Sequence, residues 1–408
     1  MKRLLIYFFT FININFTFSQ DTLSFMYYNI LSYSPSNISN TKNLKGIIKS
    51  INPDIFAVNE ISNEASAKHI LMYVLNTGLK NHYKKAEFID GPDTDNLLFY
   101  NSDKVSLYSQ DTIHTDLRII NEYLCYYNNS VNKNDTIFFY VYVAHLKASS
   151  GSTNKEKRYN EVLSFKNHLN KKVERKNIFF GGDFNFYGSD EPALIELLKD
   201  GNYKMNDPID SIGYWHDNSL YANIHTQSTR KRNFGGGSSG GLDDRFDFIL
   251  VSNDIMYGTN KLKYISGTYQ AFGNNGQHFN DSLSSSDKSI PDSIICYLYN
   301  MSDHLPVIMK TYINIEASVS NISDINYNFQ IYPNPTEGIF LFLLPIEKTN
   351  AILDIYEQSG RLTVSYDIKT TCDKQQIISM NNDLKNGLYF AKLTTNKKVY
   401  FCKFALIR

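Results

Sequence analysis

Asn177-Ile178-Phe179-Phe180-Gly181-Gly182-Asp183-Phe184-Asn185 reads as a buried strand that closes in a glycine turn and then presents an acid and an amide. Ile178-Phe179-Phe180, set between turn residues, suits a central strand with both faces covered. Gly181 and Gly182 let the backbone turn sharply or approach another group closely. Asp183 and Asn185 are two apart, so on an extended chain they point to the same side. A carboxylate that takes a proton and an amide that donates a hydrogen bond suit water activation beside a phosphate. An ordinary strand-to-turn junction can be spelled the same way, so the rest of the chain has to decide.

On either side of this stretch, strand-like runs keep ending in polar groups. Leu23 to Leu31 contains Asn29, and Pro53 to Ile61 closes with Glu60. Leu117 to Tyr127 and Thr136 to Val143 form an expected antiparallel pair across the turn Asn128 to Asn134, and the second strand runs into His145. Asp247 opens the run to Val251, and Asp303-His304 precede the last strand, Leu305 to Met309. Helices are expected over Leu44 to Ser50, Ala65 to Leu79, Lys155 to Leu169 and Glu191 to Lys199, while residues 253 to 298 show little pattern. Each polar residue has a plain reading by itself, as a solvated strand-end acid or a structural histidine. Together they place oxygen ligands for a hard cation and imidazoles where α/β folds build their sites. No GxSxG and no HExxH occurs, which favours metal-assisted phosphoester hydrolysis over acyl transfer or zinc proteolysis.

The loop Gly235 to Gly241 has no Lys-Ser or Lys-Thr after its glycines, so it is not a nucleotide cradle of that kind. It is either a mobile linker or a hinge that lets Arg230, Lys231 and Arg232 reach a phosphate. With Arg118, Lys147, Lys155, Lys157 and Arg158, these residues form a local basic set that could follow a phosphate backbone. The whole chain is balanced: 408 residues, net charge zero and a pI near 7.1. A strongly basic nucleic-acid coat is therefore excluded. The four cysteines, Cys125, Cys296, Cys372 and Cys402, contain no CxxC pair and exclude a thiolate zinc site; two disulfides remain open outside the cytosol.

The two ends read differently. Lys2-Arg3, the apolar run Leu4 to Phe11 and the small residues Thr17 and Ser19 indicate a signal peptide over residues 1–19. After residue 313 a polar linker, 314–328, leads to short strands over 329–408 with Ser-Gly and Asn-Gly turns, the pattern of a small all-β sandwich.

In order, Asn29-Ile30-Leu31, PDIFAVNEI, HLKA, GGDFN, RFDFILVS and SDHLPV resemble the endonuclease/exonuclease/phosphatase superfamily over residues 22–313. The resemblance implies an α/β four-layered sandwich, two packed and mainly antiparallel sheets flanked by helices, for a domain spanning 20–313. It implies that Glu60 binds Mg²⁺ or Mn²⁺, with Asn29 beside it and Asp303 as a further ligand; Ca²⁺ would be a structural ion. It implies that Asp183 orients or deprotonates the attacking water and that Asn185 donates to the phosphoryl oxygen. His304 would contact the phosphate with Asp247 on its other ring nitrogen, and His145 would be a second, protonated phosphate-facing histidine. No counterpart is evident for the Glu that supports that second histidine in some members. Arg118 and Arg230 are the candidate contacts to the substrate phosphate.

The tail motifs YPNPTEG, DIYEQSGR and NGLYFAKL resemble the C-terminal sorting domain of the type IX secretion system of Bacteroidetes-like bacteria. That resemblance implies the secretion machinery as a partner and a secreted or surface location. The expectation is a secreted monomer that hydrolyses nucleic acid with a divalent metal. A phosphomonoesterase, a sphingomyelinase-like lipid phosphodiesterase and a catalytically silent surface module are the alternatives.

Overall fold

The computed structural model describes residues 21–78, 82–128, 136–171, 175–232, 235–284, 290–314, 331–343, 351–368, 375–379, 384–395 and 399–408. The expected signal peptide, nearly all of the linker and most of the turn 128–134 lie outside the described residues. The chain separates into two compact units, Met1–Ile315 and Glu316–Arg408.

The first unit opens with β1 (Thr22–Tyr33), α1 (Ile38–Ile51), β2 (Ile55–Ile61), α2 (Glu64–His69), β3 (Tyr83–Lys85) and β4 (Asp95–Asn101). Next come β5 (Val105–Ile113), β6 (Ile120–Tyr127), β7 (Ile137–His145), α3 (Ser152–Asn170), β8 (Ile178–Asp183), α4 (Pro192–Leu198) and β9 (Met205–Asn206). It closes with β10 (Asp247–Ser252), α5 (Asn253–Tyr257), β11 (Leu262–Tyr264), β12 (Gln270–Ala271), α6 (Asp292–Met301) and β13 (Val307–Ile313). One sheet runs β11-β13-β1-β2-β4-β3 with β12 beside β13, and the other runs β5-β6-β7-β8-β10-β9. Each sheet has one parallel pair, β1 with β2 and β7 with β8; the remaining pairs are antiparallel.

The period of the strand sets the layers. Phe179 stacks on Phe25 of the opposite sheet with ring centroids 3.8 Å apart, and the next residue, Phe180, stacks on Phe165 of α3 at 4.1 Å. Successive side chains of β8 therefore point to opposite faces, one to the partner sheet and one to a helix. The helices α1 and α6 pack together and join the core of the first sheet through Leu44, Ile47, Ile48, Ile295 and Leu298. The result is the expected four-layered α/β sandwich of two mainly antiparallel sheets.

Three local readings need correction. Gly181 and Gly182 belong to β8 and do not form a turn; a Cβ on Gly182 would collide with the carbonyl oxygen of Ala144 on β7, so glycine serves close strand approach. The helix expected over Ala65 to Leu79 is α2 followed by a π-helical turn, Ile70–Leu75. The stretch 253 to 298 holds most of α6, whose buried Ile295, Leu298 and Met301 fall at three-residue spacing.

The second unit contains β14 (Ile331–Tyr332), β15 (Ile339–Leu343), β16 (Ala351–Glu357), β17 (Leu362–Ile368), β18 (Gln375–Ser379), β19 (Gly387–Thr395) and β20 (Val399–Leu406). They form two antiparallel sheets, β14-β15-β18 and β17-β16-β19-β20. Ile331 of the first shares a core with Leu353, Leu393 and Phe404 of the second. Gly360, at φ +82°, makes the turn between β16 and β17.

Candidate active site

Strand register builds half of the site. His145 pairs with Asp183 across β7 and β8, and Asp183 pairs with Asp247 across β8 and β10. Three adjacent strands thus end on one row: imidazole, carboxylate, carboxylate. The other sheet supplies the facing groups. Asn29 of β1 donates through Nδ2 to Glu60 Oε1 at 3.0 Å and to Asp183 Oδ2 at 3.2 Å, tying the two sheets together across the site. Asn59, beside Glu60, accepts the backbone N–H of Asp183 at 3.0 Å and the hydroxyl of Tyr27.

The segment between α6 and β13 brings His304. Its Nδ1 lies 2.7 Å from Asp247 Oδ2, which is fully buried, and its Nε2 lies 3.6 Å from Asp183 Oδ2. Ser302 Oγ donates to the carbonyl of Asn29 at 2.7 Å and accepts the N–H of His304 at 3.1 Å, fixing the segment to β1. Burial disfavours the charged ring, but the carboxylates of Asp247, Asp303 and Asp183 outweigh it and hold His304 well above its ordinary value. Burial pushes Asp183 up to about 7; His304 opposes the rise, and Asp247 and Glu60 add to it. A base of that strength works near neutral pH.

Burial, with Arg118, His304 and Lys147 nearby, holds His145 well below its ordinary value, which works against the protonated state expected for it. No side chain supports it: Nδ1 has no hydrogen-bond partner among the described residues.

The groups meet in an open cleft of about 550 Å³, lined by Glu60, His145, Asp183, Asn185, Asp303 and His304 together with Tyr187, His216, Gln227, Asp243, Asp244 and residues 237–239. The Gly/Ser loop is neither a linker nor a hinge for arginines. Its Ser238 N–H caps Asp303 Oδ2 at 2.6 Å, and Gly237, at φ +79°, lies so close that a Cβ would sit 2.6 Å from the Asp303 carboxyl carbon.

Residues 330–407 match the family model of the secretion system C-terminal sorting domain. This sorting domain supports export to the cell surface or beyond. Its YPNPTEG motif is stitched to β20: Asn334 Oδ1 accepts the N–H of Ala405 at 2.9 Å, and the N–H of Thr336 reaches the carbonyl of Ala405 at 2.8 Å. Curated proteins gave no match to the chain. Among solved structures the chain is similar to D. rerio TDP2 complexed with a single-strand DNA product, at 15% identity and TM-score 0.46, covering 72% of this chain and 99% of that one. It is similar to the human Nocturnin catalytic domain with bound sulfate, at 15% identity and TM-score 0.44, covering 72% and 98%. It is also similar to an endonuclease/exonuclease/phosphatase from Beutenbergia cavernae, at 14% identity and TM-score 0.40, covering 94% and 100%.

The structure thus gathers Asn29, Glu60, His145, Asp183, Asn185, Asp247, Asp303 and His304. Asn185 reaches the cleft by a different route from the one expected. It lies past the end of β8 in a left-handed turn, φ +53°, with Nδ2 3.3 Å from the carbonyl of Leu146. The two arginines do not line the cleft. Arg230 is buried, with Asp303, Tyr28 and Tyr299 as its charged and polar surroundings. Arg118 is paired with Asp93 at 2.6 Å and reaches the carbonyls of His145 and Leu146 at 3.4 Å. Arg158, from the basic set, is buried against Glu191. Gln227 was not anticipated. Its Nε2 lies 2.8 Å from His304 Nε2, on a partner 77 residues away, and no local pattern announces it.

Proposed function

We propose that the chain is an exported, divalent-metal-dependent phosphodiesterase acting on nucleic acid. The observation that carries the reading is the His145–Asp183–Asp247 row set against Asn29, Glu60 and His304 from the other sheet. The residues present fit a divalent cation. Glu60, His145 and Asp183 each offer a ligand atom within 4.8 Å of the others, and the buried Oδ1 of Asp303 has no hydrogen-bond partner among the described residues. When bound by Glu60 and Asp303, with Asn29 alongside, a divalent cation supplies charge neutralisation on the phosphoryl oxygens.

The chain's own groups do the rest. Asp183 accepts the proton of the attacking water. His304, kept in orientation and charge by Asp247, donates through Nε2 to a phosphoryl oxygen. Asn185 has a second amide N–H for the charge that develops in the transition state. Tyr187, His216 and Phe246 give one wall of the cleft aromatic surface on which a base can stack.

One observation favours a second reading, a lipid phosphodiester. Tyr214 lies against His216 with ring centroids 6.0 Å apart, and Ile212 and Leu220 from the same region are strongly exposed, as a membrane contact would require. The full chain, incubated with Mg²⁺ or Mn²⁺ and plasmid DNA, RNA, sphingomyelin vesicles or a simple phosphomonoester, separates the readings. Degraded nucleic acid that stays intact with Asp183→Ala supports the nuclease. Turnover of lipid or monoester alone moves the substrate and keeps the centre.

A further inference from the structure

Two Asp–His pairs line the cleft. His304 on Asp247 lies deep, where the strands end. His216 on Asp244 is the other, with Nδ1 2.7 Å from Oδ1. This second pair is firmly held. The N–H of His216 donates to the carbonyl of Tyr187 at 3.2 Å, and the N–H of Asp217 donates to the carbonyl of Asp243 at 3.0 Å. The ring stands edge-on to Tyr187 and Tyr214, with centroids 5.0 and 6.0 Å away. Asp244 is buried, and Gln227 exchanges backbone hydrogen bonds of 3.0 Å with it in both directions. With Nδ1 on Asp244, Nε2 of the half-buried His216 is the nitrogen left for a ligand.

Register sets the distance of this pair from the reacting centre. Gln227 pairs with Asp244 on one side and with His304 on the other. Two strand spacings of about 4.8 Å therefore separate Asp244 from His304. Asp247 pairs with Asp183, and Asp244 lies three residues before it, hence at most about 11 Å beyond that row. In an in-line displacement the attacking and leaving oxygens lie on opposite sides of phosphorus. A base on one and an acid on the other, each at hydrogen-bond distance, stand on the order of 9 Å apart. The offset between Asp183 and the His216–Asp244 pair suits that spacing.

We propose that His216, oriented by Asp244, is the acid that protonates the leaving oxygen of the phosphodiester. The assignment rests on the proposed function and completes its proton balance. Asp183 takes a proton from water as the new P–O bond forms. The old P–O bond breaks with its electron pair going to the leaving oxygen. Nε2–H of His216 supplies that oxygen's proton, so an alcohol departs. Solvent then returns a proton to His216 and removes the one on Asp183. Asp244 is a positioning residue that acts through the ring. Burial pushes its carboxyl up to about 7; His216 opposes the rise, and Asp243 and Asp217 add to it. A pair that titrates near neutrality gives and regains a proton readily.

Leaving-group dependence separates an acid from a residue that only lines the wall. The full chain with Mn²⁺ is given two diesters. Dithymidine phosphate has an alkoxide leaving group that needs a proton; thymidine 5′-(4-nitrophenyl) phosphate has a phenolate that does not. His216→Asn should lose roughly 10²–10⁴-fold in kcat on the first diester, and the loss on the second should be at least about tenfold smaller. Asp244→Asn, which keeps the shape and a hydrogen-bonding group, should show the same bias toward the first diester with a smaller loss. His216→Gln is read in the same way and covers a failure of the first variant to fold. Equal losses on both diesters would mean that the ring only binds or packs, and would overturn the assignment. A dinucleotide rate close to wild type in a folded His216 variant would overturn it as well. Loss of both activities in Asp183→Asn beside a fully active His216→Asn overturns this residue alone. A wild type that cleaves neither diester overturns the proposed function and this assignment with it.

Discussion

His304 sits between two very different partners. Asp247 takes Nδ1 and Gln227 stands at Nε2. With a neutral ring, the amide nitrogen of Gln227 donates to Nε2; with a charged ring, the amide has to present its oxygen, or a phosphoryl oxygen has to take the place. His304→Ala should lower kcat by about 10²–10⁴-fold, the range for a lost acid–base or charge-donating group, and should also lower the melting temperature, because it leaves the buried Asp247 carboxylate without its partner. A steady-state assay beside a thermal melt checks both halves. Asp183 makes a pH-dependent prediction. Its proton is held more tightly in the folded chain than in the unfolded one, because burial raises its folded value from 3.8 to about 7. The metal-free chain therefore loses stability as pH rises through that window and loses no more above it. In EDTA at pH 8, Asp183→Asn should melt roughly 2–8 °C higher than the wild type, and the gap should close as the pH falls toward 4. Equal melting temperatures at pH 8 would contradict the burial account.

At the scale of elements, the site depends on how closely β7, β8 and β10 approach. Gly182→Ala forces a methyl into the Ala144 carbonyl and should cost about 1–3 kcal/mol in urea unfolding, the range for overpacking. Gly78→Ala, with open space around it, should stay within about 0.5 kcal/mol. The strands were legible from the sequence because each is an apolar run that stops at a polar residue, a local pattern. The row of His145, Asp183 and Asp247 was legible only as three strand ends, since register is a matter of pairing between distant segments. Asn185 was found for the wrong reason: strand alternation does not reach it, because β8 ends at Asp183. The Gly/Ser loop and α6 were misread because their partners, Asp303 and α1, are remote in sequence. Charge was least legible of all. Nothing local distinguishes Arg158 and Arg230, both buried, from a solvated Lys231 that is paired with Asp281 on the surface.

At the scale of the molecule, two compact units divide the work. The sorting domain carries short antiparallel strands and a core of its own, while the cleft is assembled within the first unit. Deleting residues 329–408 should leave the chain in the periplasm of its host and metal-dependent hydrolysis unchanged within about twofold, because every residue that lines the cleft belongs to the first unit. Fractionation of cells with an activity assay on each fraction reads both outcomes. Everything proposed for the site rests on metal-dependent phosphodiester hydrolysis centred on Asp183. The decisive assay is hydrolysis of a chromogenic phosphodiester by the full chain, in EDTA and after adding back Mn²⁺, beside the folded Asp183→Asn variant. Turnover should be absent in EDTA and recover with Mn²⁺, and the variant should lose at least about 10²-fold. Turnover that persists in EDTA, or a variant as active as the wild type, would rule out this centre.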